Sequence, residues 1–93
     1  MKWKMERRVE KVIEILDIAN RRFGNFTTYS LTINTTKKLI KCFSFVQKYK
    51  GFIELWNDHE NLRICLVYNI TGSGRRYYSI KFFFKSYTKV IEL

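Results

Sequence analysis

Met5, Val9, Val12, Ile13, Leu16 and Ala19 recur at the three- and four-residue spacings of one helical face. Arg7, Arg8, Lys11 and Glu14 lie largely off that stripe. The pattern predicts an amphipathic helix over residues 4–22, with Gly24 and Asn25 as stop and turn residues. The period then changes. Tyr29, Leu31 and Ile33 alternate with Thr28, Ser30 and Thr32, so a strand with one buried face is predicted over 27–33. Asn34, Thr35 and Thr36 are consecutive N-cap candidates for a second helix running to about Lys50. Leu39, Ile40, Phe43, Val46 and Tyr49 are its apolar positions, and Gly51 suits the place just after its end.

The rest of the chain reads as strands. Residues 52–56 form one, and the polar turn 57–61 leads into a second over 62–69, with Leu62, Ile64, Leu66 and Tyr68 on one face. Residues 71–74 reverse the chain, 75–84 form a further strand, and a short one follows through Val90 and Ile91. The predicted order is α-β-α-β-β-β. That is an α+β fold, with two helices packed on one face of a small mixed or antiparallel sheet. Ninety-three residues suffice for a single domain, 1–93.

Composition narrows the function. Eighteen Lys and Arg against eight Asp and Glu give a net charge of +10, and 17% of residues are aromatic. Such a surplus calls for a polyanionic partner, first of all nucleic acid. A hydrophobic share of 46% argues against disorder. Proline is absent, and Phe, Tyr, Ile, Asn and Lys are heavily used, a bias of the kind AT-rich organelle, viral or parasite genomes produce. No apolar run approaches the roughly 20 residues of a membrane span. Glu6, Glu10, Glu14 and Asp17 set the first segment apart from a mitochondrial presequence.

Catalytic material is scarce. Cys42 and Cys65 do not make a disulfide scaffold, and with the single histidine, His59, they match no zinc spacing. Asp58 and Glu60 sit in a turn, where polar residues are expected anyway. No phosphate-binding glycine loop, nucleophile elbow or His-based triad is present, so the expectation is a protein without enzymatic activity or cofactor.

The cations form three candidate sites. Thr35, Thr36, Lys37 and Lys38 mark a helix start, where free N–H groups and the dipole favour phosphate; an ordinary cap with solvated lysines is the alternative. Arg75 and Arg76, with Tyr77 and Tyr78, could clamp phosphates and stack on exposed bases, or be solvated arginines beside core tyrosines. From Gly72 to Ile91 those arginines are joined by Lys81, Lys85 and Lys89, with no acid among them. Lys81, Phe83 and Lys85 alternate with Ile80, Phe82 and Phe84, and most of these phenylalanines suit a core more than a stacking platform. Arg21 and Arg22 close the first helix, where the dipole alone would favour them.

The stretch from Leu31 to Lys89 resembles the N-terminal domain of the small-subunit ribosomal protein eight family. Leu31 to Leu39 stands where that family has a strand leading into a Ser-Ser-Lys-Leu-type helix start. Lys50-Gly51-Phe52-Ile53 stands for its Glu-Gly-Phe/Tyr-Ile signature, and Leu66-Val67-Tyr68 for its Leu-Lys-Tyr-like strand. Ile80 to Tyr87 follows the Ile-x-x-(Ile/Val)-Ser-(Arg/Lys)-Pro-Gly segment loosely, without its proline or glycine, and Ile18 to Arg22 follows the Arg-Ile-Arg-Asn-Ala helix ending loosely. The motifs cover about two-thirds of the chain, and the element order nearly all of it. The family also has a C-terminal domain with a Ser-Thr-Ser-x-Gly loop that grips ribosomal RNA. The chain stops at Leu93, so that half is expected to be lost or supplied by another polypeptide.

The resemblance implies a structural constituent of a small ribosomal subunit, in a mitochondrion or other organelle. Its partners would be ribosomal RNA and neighbouring small-subunit proteins, with no membrane. The runner-up is a free-standing basic nucleic-acid-binding regulator of viral or plasmid type, which would be stable alone. A pure protein-interaction module is the third class.

Overall fold

A computed structural model describes residues 4–23, 33–58 and 61–93. Helix α1 spans Lys4–Phe23. Val9, Val12, Leu16 and Ala19 of its predicted stripe are buried, and Met5 and Ile13 pack partly against the core. Helix α2 spans Ile33–Tyr49 and buries Leu39, Phe43 and Val46 on one side. Ile40 and Tyr49, predicted on that side, are exposed, because at about 100° per residue they fall on the two shoulders of the buried arc.

Four strands follow: β1 (Phe52–Asp58), β2 (Leu62–Ile70), β3 (Arg76–Phe84) and β4 (Thr88–Glu92). They form one antiparallel meander in sequence order. Among the described residues the order is therefore α-α-β-β-β-β, in the α+β class expected. The predicted 27–33 strand lies outside the described residues up to residue 32. Ile33, its last residue, opens α2 instead. The helix thus starts earlier than the N-cap pattern suggested, and Asn34, Thr35 and Thr36 lie inside it. Its first-turn N–H groups have no intrahelical partner, so short hydroxyl and amide side chains are tolerated there as well as at the cap. Gly24, Asn25, His59 and Glu60 lie outside the described residues.

Cross-strand partners share a face. Leu62, Ile64, Leu66 and Tyr68 of β2 pair with Phe84, Phe82, Ile80 and Tyr78 of β3, and this face meets the helices. Helix α2 lies over β1 and β2. Helix α1 reaches β3 and β4: the Arg8 guanidinium sits 4.9 Å over the Tyr78 ring, and Lys11 Nζ donates to the Glu92 carbonyl at 3.2 Å. Tyr78 is the centre of this layer. It meets Phe43 edge-on at 4.9 Å and Tyr68 at 5.1 Å, and its hydroxyl donates to Gln47 Oε1. Burial pushes its phenol above the ordinary value, and Arg8 opposes that only in part.

Two turns set the geometry. The αL position that ends α2 falls on Lys50, with φ 51°, and not on Gly51 as the sequence suggested. The geometry of the first residue past the helix decides this, at a torsional cost of about 1–2 kcal/mol for a side-chain-bearing residue. Between β2 and β3, Gly74 adopts φ 86°, which glycine takes without that cost. Its N–H donates to the Thr71 carbonyl, and the Thr71 hydroxyl accepts the Arg75 N–H.

Candidate nucleic-acid interface

The solvent side of α2 carries a row of lysines. Lys37, Lys41 and Lys48 are separated by four and seven residues, which places them within about 40° of one another along about 16 Å of helix. All three are exposed. Lys38, Phe45 and Tyr49 form a second exposed row beside them. The Phe45 and Tyr49 rings lie 4.7 Å apart at 47°, and Lys48 Nζ is 5.3 Å from the Tyr49 ring centre. These rings are 45% and 61% exposed, so the helix presents aromatic surface among its charges instead of hiding it.

No acid occurs from Ile33 to Lys50, and none of the five lysines there has an acidic partner among the described residues. The arrangement opposes helix stability. Like charges three or four residues apart cost about 0.2–0.5 kcal/mol per pair, so the row is relieved only when an anion covers it. Thr36, Lys37 and Lys38 of the predicted helix-start site are all exposed, and Thr35 lies in the first turn. With the helix opening at Ile33, the two lysines stand beyond the first turn, Lys37 in the lysine row and Lys38 in the row beside it. Sequence reading missed Lys41, Lys48, Phe45 and Tyr49 as a set. The helical phase of the lysines was the signal that could have found them.

The arginine-rich hairpin is different. Tyr78 faces the helices and is buried, while Tyr77 lies on the opposite face under the Arg75 guanidinium, 4.8 Å from its ring centre. Arg75 is ion-paired with Glu92. Antiparallel β3–β4 pairing brings that acid in from just past the stretch that reads as purely cationic. Arg76 is exposed at the start of β3, and Lys85 is exposed in the bend before β4. Lys81 is half-buried on the sheet face away from the helices, between Cys65 and Val90. Phe83 is exposed on that same face, while Phe82 and Phe84 pack against the core.

Arg21 is ion-paired with Asp17 one turn before it. Arg22 instead lines a groove between α1 and the β3–β4 end of the sheet, together with Lys89. The predicted cations are therefore not one surface. The α2 row, the Arg22–Lys89 groove and the far sheet face are separate places.

Cys42 is half-buried in α2 and Cys65 is buried in β2, and burial pushes both thiols up, which keeps them protonated. No helix among the described residues is long and apolar enough to cross a membrane. Compared with models of known protein families, with curated proteins and with solved structures, the chain finds no match.

Proposed function

We propose that this chain is an RNA-binding structural protein, and that it serves within a small ribosomal subunit of an organelle. The observation that carries the RNA reading is the outward row of Lys37, Lys41 and Lys48, with Lys38, Phe45 and Tyr49 beside it and no acid on that helix. Ammonium groups along one line neutralise successive phosphates and release their counterions. The adjacent rings offer stacking surface to exposed bases. Phosphate contacts position the protein, and RNA shape supplies selectivity. The ordered motifs from Leu31 to Lys89 support the ribosomal part of the reading. Their family supplies the expectation of neighbouring ribosomal proteins.

The test pairs two measurements. Affinity for a structured ribosomal RNA fragment should fall steeply with salt. Lys37→Ala/Lys41→Ala/Lys48→Ala should weaken it and reduce the salt slope by about three, with the thermal melt no lower than that of the native chain. Salt-independent binding, or an unchanged slope in the triple variant, refutes RNA binding through α2. Separately, the native chain should co-sediment with small ribosomal subunits, and its absence there refutes the ribosomal assignment alone.

A further inference from the structure

The groove between α1 and the end of the sheet has a chemistry that the α2 row does not. Its volume is about 450 Å³, within the range of clefts that take small ligands. Ile15, Ile18 and Arg22 line it from α1, and Phe84, Tyr87 and Lys89 from the β3–β4 hairpin. Ile18 is 53% exposed there. Its sheet wall is a run of near-parallel rings. Phe82 and Phe84 lie 6.2 Å apart at 13°, and Phe84 and Tyr87 lie 4.5 Å apart at 18°. Tyr87 ends the run. One of its faces is covered by Phe84, yet the residue is 59% exposed, so its other face is open. Among the described residues no acid lines the groove, and Asp17 on the same helix is engaged by Arg21.

We propose that this groove takes one unstacked base of a single-stranded RNA segment, with Tyr87 as the stacking surface and Arg22 and Lys89 on the flanking phosphates. The inference rests on the RNA-binding reading and adds to it a preference for a looped or single-stranded element. A base extends an aromatic run by one more parallel plane, and its own phosphates lie within reach of rim cations, the pairing that single-strand binders use. A peptide side chain would fill the apolar walls but would leave the two cations unmatched unless an acid accompanied it.

The experiment is fluorescence anisotropy with a labelled twelve-nucleotide oligouridine and with an abasic oligomer of the same length and charge. The intact chain should bind the oligouridine at least about five-fold more tightly, the lower end of what stacking one base contributes. With the α2 rings removed by Phe45→Ala/Tyr49→Ala, Tyr87→Ala should abolish that preference, and Tyr87→Phe, which keeps the ring, should preserve it. The α2 triple variant should weaken both oligomers and leave their ratio unchanged. Equal, salt-dependent binding of both oligomers, insensitive to Tyr87→Ala, overturns the base pocket and leaves general RNA binding intact. Failure to bind either oligomer or the ribosomal RNA fragment overturns both readings. Because Tyr87 is exposed and outside the core, the variants keep the fold, and a thermal melt checks this directly.

Discussion

The two helices are built from the same kind of stripe and spend their charges in opposite ways. Helix α1 carries six cations and four acids, net +2, and α2 carries four cations and no acid, net +4. On α1 three of the six cations are engaged within the protein. Arg21 meets Asp17, Arg8 lies over Tyr78, and Lys11 holds the Glu92 carbonyl. On α2 only Lys48 has a described contact, with the neighbouring Tyr49 ring. A total of +10 therefore says less than its placement. Cations with partners hold the domain together, and cations without them await an anion.

The comparison can be broken most forcefully on the inner side of α2. Phe43 is fully buried against Tyr78, so Phe43→Ala should cost about 3–5 kcal/mol of folding stability in a urea titration, against less than about 0.5 kcal/mol for Lys41→Ala on the outer side. Similar costs for the two would mean that the helix does not have one structural and one functional face.

Next in size is the contrast between the helices in RNA binding. Replacing Lys37, Lys41 and Lys48 by alanine should weaken binding about a hundred-fold at low salt, whereas Arg8→Ala/Lys11→Ala/Arg21→Ala, which removes the engaged cations of α1, should change it by about three-fold or less in protein shown by its melt to be folded. Filter binding at several salt concentrations separates the two outcomes.

Tyr78 tests how α1 and α2 are joined to the sheet. Tyr78→Phe removes the hydroxyl bonded to Gln47 and should cost about 0.5–1.5 kcal/mol at pH 7. Its phenol is raised in the folded state, so the folded protein holds that proton more tightly than the unfolded chain. The contribution is full below the unfolded value near pH 10 and is lost as pH rises through the folded value. The stability difference between the native chain and Tyr78→Phe should therefore be level to about pH 10 and decline above it.

The smallest effect lies at the end of α2. Lys50→Gly removes the left-handed strain at φ 51° and should raise stability by about 0.5–1 kcal/mol, after the extra freedom of the unfolded glycine is counted. It should also weaken RNA binding only slightly, because Lys50 stands off the row.

What could be read from the sequence was what repeats locally. The α1 stripe and the partnering of β2 with β3 followed from three-to-four and two-residue periods, and the structure keeps both. Leu39, Phe43 and Val46 were legible for the same reason, while Ile40 and Tyr49 were not. Apolar character alone does not say which positions at the edge of a helical arc a neighbouring layer will cover. The sites were legible residue by residue, but not in their grouping. That Glu92 answers Arg75, or that Arg22 meets Lys89 across a groove, depends on strand register and helix placement, which join residues 17 and 67 positions apart. Charge counting along the chain treats all of these cations alike.

The irregularity in the first hairpin has a consequence of its own. Glu54 pairs with Cys65 and Trp56 pairs with Ile64, so Leu55 is an inserted step in the ladder. Alternation would have sent Leu55 inward and Trp56 outward, yet both are buried. The insertion resets the phase of the strand, so that indole and carboxylate fall on opposite sides. Deleting Leu55 alone would leave each remaining rung matched with its present neighbour and subtract one apolar side chain.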